Sequence, residues 1–182
     1  MILLARHGET ADNVPPARAL GRRDPPLTER GREQARALGA AVAAEGVRAL
    51  YTSQLRRARE TAEIVGEALG LEPRMDPRLA ESDRGHWEGR LMRDIEREEP
   101  EAWRAWLRAG NEFRFPGGES LRDHLRRVVA ALDDVTAGPL PALVVCHGGT
   151  IRCAFAALDQ RGLDAFHELD VPNAVPLRLE RR

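Results

Sequence analysis

A chain of 182 residues with 42 % hydrophobic content is long enough for one sizeable core and short for two, which predicts a single domain over residues 1–182. Twenty-eight basic residues against 29 acidic ones leave a formal charge of −1. Bulk electrostatics therefore supply no pull toward nucleic acid or a membrane surface, and any affinity for anions has to be local.

The opening run Ile2-Leu3-Leu4-Ala5 is continuously apolar, as a strand covered on both faces should be, and it ends at the tetrad Arg6-His7-Gly8-Glu9. The run is too short for a signal-peptide core, and no later segment approaches a membrane span, so the expected location is cytoplasmic. After Pro25-Pro26-Leu27-Thr28, the stripe Ala35, Leu38, Val42 predicts an amphipathic helix with Thr28 as its N-cap. Ala49–Thr52 reads as a short strand. Leu55, Ala58, Ala62, Val65 and Leu69 then mark one face of a second helix, followed by a strand candidate over Arg74–Asp76.

Five of the eight aromatic residues (Trp87, Trp103, Trp106, Phe113, Phe115) fall between positions 87 and 115, interspersed with charge and closed by Pro116-Gly117-Gly118. Such an irregular insertion forms either a wall or lid over a site or a small satellite core under a long loop. Leu121, Leu125, Val128, Leu132 and Val135 predict a third helix. Leu143–Cys146 is the second buried strand, and His147-Gly148-Gly149 follows it at the expected start of a helix. Ala174–Leu179 is the last strand candidate. Strands alternating with amphipathic helices predict an α/β fold, a doubly wound and mostly parallel sheet with helices on both faces. No internal repeat or low-complexity linker breaks it.

In an open α/β sheet, ligands gather beyond the carboxyl ends of the strands, so His7 and His147 can share one crevice. One can attack a phosphoryl group while the other stabilises it. Every basic residue is an arginine and none a lysine, a bias that fits coding composition better than function, although arginine is also the better fork for phosphate oxygens. Cys146 and Cys153, the two cysteines, suggest reduced thiols more than a disulfide or a redox pair. His86, His124 and His167 are expected on the surface or on helices. No His-x-His, His-x-x-x-His or Asp-x-Asp grouping flanks either motif, so neither a metal nor another cofactor is expected. The glycine turns match no P-loop or dinucleotide fingerprint.

Blocks in a fixed order carry a more specific message: Arg6-His7-Gly8-Glu9-Thr10 with Asn13; Gly21 through Asp24-Pro25-Pro26-Leu27-Thr28 and Gly31; Ser53 through Ala62; Leu79-Ala80-Glu81 leading to Gly85-His86-Trp87-Glu88-Gly89; Gly117-Gly118-Glu119-Ser120; and His147-Gly148-Gly149. In these the chain resembles the histidine phosphatase superfamily, the group with the phosphoglycerate mutase-like three-layer α/β/α fold, and in particular its short phosphatase members. The resemblance implies that His7 is the nucleophile of a phosphohistidine intermediate, that Arg6 and Arg57 bind phosphate, and that His147 donates a further bond. It selects Arg57 over Arg56, expected in solvent, and Arg59, expected near the entrance. Glu81 takes the general acid's place, with Glu88 a rival carboxylate expected to support its loop. Asn13 and the N–H groups at Gly148 and Gly149 are expected to add neutral donors to the substrate.

The reaction so implied is metal-independent hydrolysis of a small phosphorylated metabolite, such as α-ribazole phosphate, phosphoserine or a sugar phosphate. Two alternatives stand beside it: a phosphoglycerate mutase working through the same intermediate, for which the chain is short, and a non-catalytic domain that binds a phosphorylated ligand. No nucleic-acid or membrane partner is expected. A homodimer is left open, as is the reach of Arg22, Arg23, Arg84 and Arg152 toward the substrate.

Overall fold

In the computed structural model, which describes residues 1–180, the strands and helices follow in the order β1 (Ile2–Arg6), α1 (Glu29–Val42), β2 (Ala49–Thr52), α2 (Arg56–Leu69), β3 (Pro73–Met75), α3 (Met92–Glu98), α4 (Pro100–Arg108), α5 (Leu121–Ala137), β4 (Ala142–Cys146), α6 (Gly148–Ala156) and β5 (Pro176–Leu179). The strand order is β3-β2-β4-β1-β5. The pairings β3-β2, β2-β4 and β4-β1 are parallel, and β5 runs antiparallel along β1. This is the mostly parallel sheet that the patterning predicts.

Successive side chains of a strand point to opposite faces, and here both faces are covered. Leu3, Ala5, Leu143 and Val145 pack with Leu38 and Val42 of α1 and with Ala58, Ala62 and Val65 of α2. Ile2, Leu4, Ala142 and Val144 point the other way, into a core shared with α5, α6 and the aromatic segment. Thr28 caps α1 as expected, its hydroxyl accepting the Gly31 N–H at 3.0 Å. Gly70, at φ +66°, closes α2 in the left-handed conformation open to glycine.

The segment from 87 to 115 departs from the expected irregular loop. It carries α3 and α4, and Pro100 opens α4, a position where its missing N–H costs nothing. Both helices are short and interleaved with charge, which hides their period. Nor is the segment a satellite core. Trp87, fully buried, stacks edge-on against Trp106 and Phe115 at 6.2 and 5.6 Å, and these rings join the same core as Ile2 and Val144. His124 is likewise not a surface residue: it lies on α5 but is fully buried, its Nε2 3.2 Å from the Thr150 hydroxyl. His86 is exposed, and His167 is half-buried with Nε2 2.8 Å from the Trp106 carbonyl. Cys146 and Cys153 are buried free thiols whose pKa burial pushes up.

Candidate active site

Parallel pairing puts Arg6 beside Cys146, and the His7 N–H donates to the Cys146 carbonyl at 2.9 Å. The next residue of each strand end is a histidine, so the His7 and His147 rings meet with centroids 5.3 Å apart. A cavity of about 190 Å³ opens at this edge, lined by Arg6, His7, Asn13, Arg57 and Glu81, together with Arg18, Arg84, Met92, Trp106 and Arg152. Trp106 and Met92 make the aromatic segment a wall of the site. His147 and Gly148 are not part of the lining.

His7 is held in one tautomer. Its Nδ1 lies 2.7 Å from the Gly8 carbonyl, an acceptor, so the ring proton sits there. Nε2 is then the lone-pair nitrogen, and it accepts from Arg57 Nε at 3.1 Å. Burial above all, and then the charges of Arg57 and Arg6, hold the His7 pKa well below 6.5. The imidazole is therefore neutral at physiological pH, with its lone pair on Nε2. Gly8 makes the tight approach possible: a Cβ there would stand 2.3 Å from the Gly31 carbonyl oxygen. Its N–H donates to Thr61 Oγ1 at 3.0 Å, and Thr61 in turn donates to the Arg57 carbonyl at 2.8 Å.

Arg57, in the first turn of α2, is fully buried. Besides His7 it binds the carbonyls of Gly21 at 2.9 Å and Arg23 at 2.5 Å. Burial pulls its pKa down to about 10, which leaves it cationic. Glu88 braces the loop that supplies those carbonyls, as expected of it, by accepting the Arg22 and Arg84 N–H groups at 2.8 and 3.1 Å. Arg56 is exposed and bonds Glu60; Arg59 is exposed and outside the cavity lining. Arg6 gives one N–H to the Val171 carbonyl at 3.1 Å, while its Nε is buried with no partner among the described residues.

Asn13 lines the cavity, but its amide is engaged locally. Its oxygen accepts from the Thr10 N–H and hydroxyl, both at 2.7 Å, and its nitrogen donates to Asn173 Oδ1 at 3.2 Å. Asn173 then donates to the His7 carbonyl at 2.8 Å. This brace was invisible in sequence, because a single asparagine before the last strand has no periodic or motif signal.

Glu81 accepts N–H bonds from Ser82 at 2.9 Å and Gly149 at 3.0 Å. Burial alone pushes its pKa up, but the Arg84 charge and these bonds outweigh it and hold the carboxyl at about 2. The Gly149 N–H expected for substrate is therefore taken by Glu81. His147 Nε2 lies 2.8 Å from Ser53 Oγ, which itself accepts the Leu55 N–H at 3.2 Å. Ser53 Oγ keeps a hydrogen and a second lone pair to face Nε2, and His147 Nδ1 is buried with no partner among the described residues. Burial first, then Arg57, keeps this imidazole neutral.

The turn leading to Glu81 is clamped from α5. Arg127 donates to the carbonyls of Arg78, Ala80 and Glu81 at 2.7, 2.6 and 3.0 Å and pairs with Glu119 at 2.7 Å. Among the described residues, no group of three or more His, Cys, Asp or Glu side chains is placed to hold a metal ion, and no helix is long and apolar enough to cross a membrane.

Comparison with known proteins gives the same answer from outside the molecule. The family model for the histidine phosphatase superfamily (branch 1) matches residues 2–182. Phosphoserine phosphatase 1 of Hydrogenobacter thermophilus is 34 % identical over 175 residues, 95 % of this chain and 82 % of that protein. A probable phosphoglycerate mutase, GpmB, of Cronobacter sakazakii is 38 % identical over 171 residues, 92 % of this chain and 77 % of its own length. In backbone, a mycobacterial glucosyl-3-phosphoglycerate phosphatase in complex with VO3 superposes with a TM-score of 0.87 at 33 % identity, covering 96 % of this chain and 88 % of that one. The α-ribazole phosphatase of Shigella flexneri gives 0.82 at 29 % identity, covering 96 % and 87 %. Agreement over nearly the whole length, in sequence and backbone alike, makes this chain a member of the histidine phosphatase superfamily, branch 1.

Proposed function

We propose that the protein, acting as one catalytic domain, hydrolyses a small phosphomonoester in two steps through His7, without a metal. The observation that carries this is the His7 tautomer: Nδ1–H anchored on Gly8 at 2.7 Å leaves Nε2 as a neutral lone pair beside Arg57 and above the cavity. In the first step Nε2 attacks phosphorus and the bond to the ester oxygen breaks. Glu81 gives that oxygen its proton, which the carboxyl acquires only once the phosphoryl dianion stands beside it. In the second step Glu81 takes a proton from water as the water oxygen attacks phosphorus and the N–P bond breaks, releasing phosphate and restoring His7. Arg6, Arg57 and His147 stabilise the charge on the moving group, where most of the work of phosphoryl transfer lies.

A mutase reading has one point in its favour, the similarity to the probable phosphoglycerate mutase. The phosphatase names among the other relatives support hydrolysis. Rapid quench with a labelled aryl phosphate should trap label that is acid-labile and alkali-stable on His7. His7→Ala should lose it, together with at least ~10³-fold of kcat. Brisk turnover with no such label sinks the mechanism. Efficient isomerisation of phosphoglycerate with negligible phosphate release would favour the mutase, and loss of activity in chelator restored by added metal would refute the metal-free reading.

A further inference from the structure

Arg6, Arg18, Arg57, Arg84 and Arg152 all line the cavity, and Glu81 is the one carboxylate among its lining residues. With Glu81 ionised, the formal excess is four positive charges, of which a phosphoryl dianion offsets about two. Elsewhere in the molecule arginines are matched locally, as Arg127 is by Glu119 and Arg161 by Asp159 and Glu168. In the cavity only Arg57 has a carboxylate within ion-pair distance among the described residues, Asp24 at 4.0 Å, while Glu81 and Asp170 act on Arg6 and Arg152 from further off. Like charges that outnumber their counter-charges cost stability, and a bound anion is what would offset the surplus.

Arg84 stands out within the group. Its guanidinium lies 5.6 Å from the centroid of the Phe115 ring and 5.8 Å from that of Trp106. Its Nε is buried without a partner, and its side chain makes no hydrogen bond or ion pair with any described residue. Stacking on two rings fixes the plane of the fork and leaves its N–H edge for a ligand. Arg152 is held in a similar way, by Nε on the Leu169 carbonyl at 3.1 Å and by the Phe166 ring at 5.9 Å. Its pKa is lowered chiefly by burial; the charges of Glu81 and Asp170 oppose this and that of Arg84 adds to it, so the two cations repel each other. Arg6 and Arg57, beside His7, are committed to the transferred group; Arg84 and Arg152 are not.

Resting on the phosphatase reading above, we propose that Arg84 and Arg152 form a second anion subsite, and that the substrate is a small phosphomonoester carrying a carboxylate a few bonds from its phosphorus. A carboxylate matches a guanidinium fork through two parallel bonds. It also fits the space better than a second phosphate, since about 190 Å³ falls below the ~300–1,000 Å³ of pockets that enclose drug-sized ligands.

The test compares kcat/KM for substrates that differ in the anion alone: phosphoglycolate against 2-hydroxyethyl phosphate, and O-phosphoserine against O-phosphoethanolamine. A three-carbon diol bisphosphate supplies the second-phosphate arm. The carboxylated member of each pair should be favoured about 10- to 100-fold, the range of one charge-assisted hydrogen-bond pair. Arg84→Gln should bring that ratio close to one, and Arg152→Gln should lower it. A wild-type ratio near one with normal aryl phosphate turnover overturns the subsite and leaves the phosphatase reading intact, and this arm needs no variant to fold. A bisphosphate preferred to both carboxylates, or an Arg84→Gln protein that loses both members of a pair equally, also overturns it. Absence of aryl phosphate turnover and of label on His7 removes the phosphatase reading and the subsite together.

Discussion

Glu81 shows how far one residue can be read from its neighbours in sequence. The resemblance of the Leu79-Ala80-Glu81 block to the family pattern pointed to an acid at the crevice, but its charge state is set by Arg84 and by Gly149, 68 residues away, whose N–H it accepts at 3.0 Å. At about 2, the free-enzyme pKa means that Glu81 is a carboxylate until substrate arrives. The expected signature is leaving-group dependence. Glu81→Gln should cost ~10²–10⁴-fold in kcat on alkyl phosphates, the usual worth of a general acid, and about tenfold or less on aryl phosphates, whose leaving oxygen needs no proton. Gly149→Ala should reproduce that split, because a Cβ there would stand 2.3 Å from Glu81 Oε1. Equal losses on both substrate types would count against the acid role.

Among the elements, α1, α2 and α5 were legible because their apolar residues recur at helical spacing over several turns. The helices α3 and α4 were not: each is short, and charge interrupts the stripe, leaving isolated i, i+3 pairs such as Met92 with Ile95 and Trp103 with Trp106. The work of α5 was hidden as well. Its periodic residues predicted burial, whereas Arg127 on its polar side binds three carbonyls of the turn that presents Glu81, those of Arg78, Ala80 and Glu81. Arg127→Met should strip those bonds, each worth ~1.5–3 kcal/mol when the donor is charged. A net loss near ~2 kcal/mol would lower Tm by about 4–8 °C in a chain of this size. As a positioning residue, Arg127 should also lower kcat on alkyl phosphates about tenfold with KM nearly unchanged, on the scale by which small misplacements cost catalysis. A lower Tm with an unchanged kcat would reduce the clamp to a structural one.

For the molecule as a whole, three neutral histidines in the interior tie stability to pH. His7, His124 and His147 are buried, and burial lowers each pKa, that of His124 to about 4 from the 6.5 of a solvated ring. Below 6.5 the unfolded chain takes up protons that the folded protein refuses, so their contribution is complete above that pH and is lost progressively as pH falls below it, for His124 down to about 4. Each group adds a slope of up to ~1.4 kcal/mol per pH unit in that window. Glu81, depressed from 4.5 to about 2, adds a further loss only below 4.5. Thermal melts should therefore decline from about pH 6.5 downward, and His124→Asn should flatten the decline. A Tm that holds steady until pH 4.5 would contradict the buried neutral state of these rings.

What the chain alone determined is the pair of apolar runs ending at Arg6-His7 and at His147. A continuously apolar strand must be covered on both faces, and two such strands pairing in parallel bring their final residues to one edge. The bond from Arg57 to His7 Nε2, the bond between Glu81 and Gly149, and the surplus of cations around the cavity were decided only by the tertiary structure. Those depend on hydrogen bonds and electrostatic fields between residues 50 or more positions apart, such as Arg57 and His7, and local propensity carries no information about which distant groups a closed chain will bring into contact.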